Sequence, residues 1–507
     1  MKNSRQTLNG AALIESQTIY SGTAAPSARS KLTLFTFYGA GEAATSLVLN
    51  GLNGFALLYY TDALGLSPQL AGLALSVSLF WEAITEPVMG HASDRTRTRF
   101  GARYPWILVG GILMAIVFYF LWAVPAGFRG GGMVTFTYLL VLNLLLRTAL
   151  TMFIVPYLAL GFEIAPEYND RPRLQSVRWI CNMLANFAGP ALAWSIFFQD
   201  RVAPNGTKIP GTSDPNNFAA MGSTFSIAMV ALTAIMLWGC RTSVRDLRSE
   251  RPTASDASYF ASFWATFKPI FLDKEARLVL FVVFLLVVGM VIASSVQGYL
   301  YVHFLDLAGY ERTLVHSSTM VTSAVGALIA PKLVERFDKR GAIIIGSWCG
   351  VCGKIALLIA FFGFGVTPTG TMATVLFVIF DGLYWLASGI VLPVATAMIA
   401  DMGSLAGKRT GRTMDGSYSA VFSLAWRIGV SVSLLVAGTL ISLVGYDAAS
   451  AGKATSVVMD RMAAASFLAC ASLYFCAILA ARGYRLTRAV YAERLSNAVR
   501  AGDGNDD

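Results

Sequence analysis

Residues Phe80-Trp81-Glu82-Ala83-Ile84-Thr85-Glu86-Pro87-Val88-Met89-Gly90 place two carboxylates one helical turn apart in an otherwise mostly apolar run. The run extends from Ala71 to His91, and roughly 20 apolar residues suffice to cross about 30 Å of hydrocarbon as a helix. Backbone amides at that depth must bond within their own segment, which makes helix the default. On a helix Glu82 and Glu86 lie one above the other on the same face. Two carboxylates that close do not both ionise unless a cation stands between them, so one takes a proton or an ion bridges the pair. Pro87 withdraws an amide and frees the carbonyl of Ala83, a local irregularity where a further ligand can appear. This is what a cation-coupled carrier requires: a site filled on one transit and empty on the return.

The rest of the chain agrees. Of its 507 residues 55% are hydrophobic and only 13% charged, about half the roughly 25% of a soluble domain. Hydropathy places spans near Leu34–Tyr60, Ala71–His91, Pro105–Val124, Val134–Phe162, Leu174–Phe198 and Met221–Cys240. Six more follow near Leu278–Phe304, Val315–Val334, Ala342–Phe362, Met372–Ala400, Met414–Val444 and Met462–Ala481. The expectation is an all-α membrane protein of twelve transmembrane helices.

Net charge is +10, but the 39 Lys and Arg are sorted by loop. Most fall in the amino terminus, the even-numbered loops and the tail, whereas the odd-numbered loops hold Arg129, Arg201, Lys208, Arg312, Lys453 and Arg461. Basic residues favour the cytoplasmic side, so both termini are expected there. The basicity is topological, and no nucleic-acid partner is expected. Residues 1–32 read as a mobile cytoplasmic leader without a signal-peptide core, and residues 483–507 as a cytoplasmic tail. The six cysteines lie in or beside apolar spans and read as reduced packing residues, including Cys349 and Cys352.

The polar stretch 241–277 divides residues 33–240 from residues 278–482, six spans each. Phe260, Phe263, Trp264 and Phe267 give it an amphipathic segment at Tyr259–Phe271, expected as a helix on the membrane surface. Two six-helix halves joined in this way are the plan of the major facilitator fold. A weak repeat supports the division. Asp94-Arg95 ends span two and Glu335-Arg336 ends span eight, each followed by a basic turn. These four residues read as a cytoplasmic gate that forms and breaks, or as charges that set topology and cap helices.

An ionisable group in the bilayer centre is costly and is a functional candidate by default. The spans contain Glu42, Glu82, Glu86 and Asp381, with Arg147, Arg178, Lys354 and Arg427. Equal numbers of acids and bases also permit mutual pairing, Lys354 with Asp381 for instance. Asp381 and Trp385 share a face beside Tyr384 and offer an aromatic platform for a substrate ring. Asn50, Asn53, Tyr59, Trp179 and Asn182 line the cavity or satisfy bonds between helices.

Tyr59-Tyr60-Thr61-Asp62, Gly65-Leu66-Ser67, Trp81 to Gly90, Arg97-Thr98-Arg99-Phe100-Gly101 and Pro105-Trp106-Ile107 together resemble the glycoside–pentoside–hexuronide:cation symporters, the melibiose permease family. Weaker echoes are Val155-Pro156-Tyr157, Arg178, Ile399-Ala400-Asp401 and the basic Arg427 of span eleven. The resemblance implies a cation site at Glu82, Thr85, Glu86 and Thr151, with H⁺ or Na⁺ as the coupling ion and no other cofactor. It also implies two sugar-gripping acids, but those positions read Ser46 and Ile154. Arg147 lies two turns before Ile154 on the same face. Either Arg147 and Arg178 bind a carboxylate, sulfonate or phosphate of an anionic sugar or organic acid, or Arg147 pairs with Glu42 or Glu82. The substrate-site candidates are therefore Ser46, Asn50, Arg147, Ile154, Arg178, Asp381, Trp385 and Arg427.

The expected function is cation-coupled symport of a sugar, glycoside or sugar acid by a monomer in a bacterial inner membrane, working by alternating access. The alternatives are a carrier of an amphipathic lipid-like solute, a membrane-embedded enzyme and a transporter-derived sensor. No Walker loop is present to suggest ATP drive. His91, His303 and His316 are too scattered in sequence for a metal site, and no enzyme activity is expected.

Overall fold

The computed structural model describes residues 28–96, 98, 100–165, 170–206, 208–246, 270–410, 414–446, 455–491, 493–494 and 496. Almost all of the leader, the surface helix expected at Tyr259–Phe271 with most of the linker around it, and the end of the tail lie outside those residues.

Helices dominate: α1 Ala28–Gly51, α2 Pro68–Arg95, α3 Tyr104–Trp122, α4 Gly132–Ile164, α5 Asp170–Leu192 and α6 Pro215–Asp246 in the first half. The second half holds α7 Lys274–Tyr299, α8 Gly309–Leu358, α9 Thr371–Thr410, α10 Asp415–Leu443 and α11 Ser456–Arg482. Helix α8 breaks into two arms at Asp338, whose φ of 63° no helix accommodates. The two arms take the places of the expected eighth and ninth spans. A two-residue hairpin, β1 Arg201–Val202 with β2 Lys208–Ile209, decorates the loop after α5.

Ten helices, with α8 counted whole, are long and apolar enough to cross a membrane among the described residues. Helix α2 is not among them, since the charges that make it interesting also lower its hydropathy. Its start is set locally: Ser67 Oγ accepts from the Leu70 amide, and Pro68 holds the first helical position, where no amide is needed. Large apolar side chains such as Ile116, Phe120, Val230, Trp238, Leu328 and Ile379 face outward. A lipid solvent accounts for them where water would not.

The two halves repeat each other. Helix α1 ends in a widened π-turn at Tyr59–Ala63 and α7 in one at Leu300–Phe304. In both, a leucine amide reaches back to a tyrosine carbonyl, Leu66 to Tyr60 at 2.8 Å and Leu307 to Tyr301 at 3.0 Å. The residues before those leucines, Gly65 and Asp306, both have positive φ.

The halves meet along two seams at the end of the bundle away from the chain termini, here called the distal end. In the first, α2 runs beside α10. A Cβ on Gly72 would lie 2.5 Å from the Leu434 carbonyl, and one on Gly438 would strike that of Pro68. One turn on, Ser76 Oγ and Ser431 Oγ are 2.9 Å apart. In the second, the end of α5 meets the start of α8. Ser195 Oγ lies 2.7 Å from Thr313 Oγ1, and Arg312 grips Asp200 at 2.8 and 3.0 Å.

Candidate coupling site and cavity

The first seam ends at the span-two carboxylates. On α4, Arg147 Nη1 donates to Glu82 Oε2 at 2.8 Å. On α10, Arg427 Nη1 lies 3.0 Å from Glu82 Oε1, while its Nη2 donates to Glu86 Oε1. The expected charge problem is thus solved by two guanidiniums, one from each half. The layers differ in depth. Side chains of Glu82 and Arg147 are 8% and 4% exposed, those of Glu86 and Arg427 25% and 27%. Thr85 Oγ1 is 3.3 Å from Thr151 Oγ1, so the four expected cation-site residues do gather. Each hydroxyl also donates to a helix carbonyl, Thr85 to Glu82 at 3.2 Å and Thr151 to Arg147 at 2.9 Å. Trp81 Nε1 donates to Thr148 Oγ1 at 2.8 Å and fixes α2 against α4.

A second polar group lies between α1 and α5. Arg178 donates twice to Glu42 Oε2, from Nε at 2.9 Å and from Nη2 at 2.6 Å. Toward the distal end, Asn182 Nδ2 donates to Ser46 Oγ at 2.7 Å, Asn186 Nδ2 to Asn182 Oδ1 at 2.8 Å, and Asn50 Nδ2 to Asn186 Oδ1 at 2.6 Å. Of the two alternatives for Arg147, the pairing with Glu82 is the one that forms, not an anion site shared with Arg178. Arg147 and Arg178 each serve a separate glutamate, because an unpaired guanidinium at this depth has no other compensation. Ser46 is buried, and Ile154 and Asn50 are half-buried.

In the second half Lys354 Nζ lies 2.5 Å from Asp381 Oδ1. Asp381 Oδ2 accepts from Trp385 Nε1 at 3.1 Å and from Gln297 Nε2 at 3.4 Å. Tyr384, expected to share a platform with Trp385, is instead fully buried, with Lys354 Nζ 4.3 Å from its ring centre. Trp385 alone remains half-buried.

Of the proposed gate residues, Asp94 pairs within its own half. Asp94 Oδ1 is 2.5 Å from Arg103, which also reaches Glu163 at 3.4 Å. Glu335 is exposed, the Arg336 guanidinium lies over the Phe337 ring, and the ion pair nearby joins Lys339 to Asp401. At the distal end, by contrast, Asp62 contacts His303 and Tyr446 of the other half, at 2.7 and 2.5 Å. Thr61 Oγ1 and the Tyr299 phenol hydroxyl lie 2.5 Å apart beside them. Sequence reasoning passed over this cluster, treating His303 as a scattered histidine. The signal was the repeat, in which Asp62 and His303 hold the same place. Among the described residues no group of three or more His, Cys, Asp or Glu is arranged to hold a metal.

Ten apolar helices long enough to cross a membrane among the described residues, with paired charges buried between them, are features of a membrane transporter. The MFS/sugar transport protein family model matches residues 37–488, and the chain belongs to that family. It is 24% identical to the inner membrane symporter YicJ of Escherichia coli over 453 residues, 89% of this chain and 91% of that protein. A shorter match, 29% identical over 181 residues, is to the sodium-dependent lysophosphatidylcholine symporter 1-A of Danio rerio, covering 36% of this chain and 32% of that one. In fold it is similar to a mutant form of the nucleoside transporter NupG, with a TM-score of 0.62 at 12% identity over 89% of this chain and 99% of that structure. The chain is a multi-pass membrane transporter with the major facilitator fold, and not an enzyme.

Proposed function

We propose that the chain is a proton-coupled symporter of a neutral polyhydroxylated solute, a sugar or glycoside, with both termini cytoplasmic and twelve crossings counting α2 and both arms of α8. The observation that carries the reading is Arg427, which reaches from the second half to Glu82 and Glu86 of the first. In this geometry the distal seams are closed, so the bundle faces the cytoplasm. Glu86 is the carboxylate that water reaches. When it takes a proton, Arg427 keeps only Glu82 as a charge partner across the halves, and the α2–α10 seam loosens. With a proton and substrate bound the halves rock, the distal end opens, and the cycle returns after release.

The substrate class follows from compensation. Both arginines, Arg147 and Arg178, are already neutralised by glutamates, so an anionic substrate would add an uncompensated negative charge beside buried carboxylates, which is expensive. The amide row Asn50, Asn182 and Asn186 with Ser46 offers donors and acceptors suited to hydroxyls. The zebrafish relative's name and the half-buried Ile154 support a second reading, an amphipathic phospholipid-like solute. A bacterial inner membrane fits the relative YicJ.

Uptake into proteoliposomes separates these readings. Radiolabelled sugars, sugar acids and lysophosphatidylcholine are offered under an imposed proton gradient, a sodium gradient or none. Sugar accumulation driven by the proton gradient and abolished by Glu86→Gln supports the proposal. Gradient-independent equilibration removes symport, and accumulation of the lysolipid alone moves the substrate to the second reading.

A further inference from the structure

The charges around Glu82 balance without any added ion. Two carboxylates, Glu82 and Glu86, meet two guanidiniums, Arg147 and Arg427. The guanidiniums belong to different moving parts. Arg427 sits on α10 and leaves with the second half whenever the α2–α10 seam opens. Arg147 sits on α4, in the same half as Glu82, and stays. Its side chain is 4% exposed and that of Glu82 8%, so neither can turn out into water. Parting the halves therefore leaves Glu82 neutralised by Arg147 and only Glu86 uncompensated.

A sodium ion needs several oxygens around one point with negative charge among them, and here the charged ones already face guanidiniums. Glu82 Oε2 is taken by Arg147, and Glu82 Oε1 and Glu86 Oε1 face Arg427, which leaves the Thr85 and Thr151 hydroxyls with lone pairs but no charge to offer. An alkali cation placed between Glu82 and Glu86 would also face the fixed positive charge of Arg147 at low dielectric. We propose that Arg147 is the ion-specificity residue of this transporter: its guanidinium is a resident cation on Glu82 that keeps sodium and lithium out of the span-two carboxylates. The inference rests on Glu82 and Glu86 being the coupling pair, and goes beyond it by naming the residue that selects the ion.

The test is saturable binding of radiolabelled sodium to the purified full-length protein, with choline holding ionic strength constant. The wild type is expected to show none, and Arg147→Lys, which keeps the charge, none either. Arg147→Gln is expected to gain sodium affinity by about tenfold or more, with competition by lithium and loss in Arg147→Gln/Glu82→Gln. Saturable sodium binding by the wild type that Glu82→Gln removes would overturn the proposal, as would a folded Arg147→Gln that binds no sodium. If Arg147→Gln is unstable without sodium, rescue of its thermal stability by sodium chloride and not choline chloride supports the proposal, and absence of rescue overturns it. Uptake by the wild type under a proton gradient alone is measured in parallel. Its failure would sink the symport reading while leaving the sodium result to stand by itself.

Discussion

Asp62 and His303 occupy equivalent positions in the two halves, 241 residues apart, and are bonded to each other with Nε2 and Oδ2 at 2.7 Å. Their side chains are 0% and 8% exposed, and Tyr446 donates to the second carboxylate oxygen at 2.5 Å. Any motion that opens the distal end must break this buried contact. Removing one partner of a buried pair costs about 3–5 kcal/mol, and here that loss falls on the distally closed state. Asp62→Asn should therefore populate the opposite state. Ser195 and Thr313, whose hydroxyls are 2.7 Å apart across the second seam, supply the reporter. A Ser195→Cys/Thr313→Cys pair should cross-link quickly and block transport until reduced, and adding Asp62→Asn should slow the cross-link several-fold. An unchanged rate would show that the cluster does not hold the seam.

The two span-two glutamates should behave differently when neutralised. Glu82→Gln leaves Arg147 buried without a carboxylate, a loss of about 3–5 kcal/mol that lowers the melting temperature of the purified protein. Glu86→Gln touches a layer that is a quarter exposed, and its melting temperature should change little. Its transport should lose gradient-driven accumulation while keeping exchange of substrate across the membrane. Equal destabilisation by both variants would contradict the two-layer description.

What the sequence showed and what it hid follow from range. The apolar spans and the paired acids at Glu82 and Glu86 are local patterns, readable from spacing and composition. The break in α8 was also visible as two spans separated by a basic turn. The choice of partner for each arginine was not readable, because Arg147 and Glu82 are 65 positions apart and Arg178 and Glu42 136 apart. Helix packing decides those pairings. Spacing left Arg147 either in one anion site with Arg178 or paired with Glu42 or Glu82, and packing placed a glutamate against each arginine. Asp62 was missed for a related reason: it stands at a helix end, where an acid is unremarkable until the other half brings His303 to it.

The amide row between α1 and α5 should read hydroxyls. Asn182 touches Ser46, Asn186 and, at 3.5 Å, Glu42, and it is half-buried. Asn182→Ala removes one polar partner from that wall, and a lost hydrogen bond of about 0.5–1.5 kcal/mol should weaken sugar binding by up to about tenfold. Binding of the transported sugar by calorimetry measures it, with proton-driven uptake retained at high sugar concentration. Unaltered affinity would assign the row to packing of α1 on α5 alone.

Lys354 and Asp381 pose the sharpest question about retained charge. Both lie within one half, 4% and 2% exposed, with the ammonium over the rings of Tyr384 and Phe467 at 4.3 and 5.4 Å. A buried pair of this kind is often no more stabilising than apolar residues of the same size, while losing one member costs about 3–5 kcal/mol. Asp381→Asn should therefore lower the melting temperature markedly, and Lys354→Met/Asp381→Leu should recover most of the loss. Transport by the double variant then decides what the pair is for. Asp381 also accepts from the Trp385 indole, so a positioning role predicts a stable double variant with weaker substrate affinity and an unchanged maximal rate. A stable double variant with wild-type affinity would leave the pair a purely structural tie between α8 and α9.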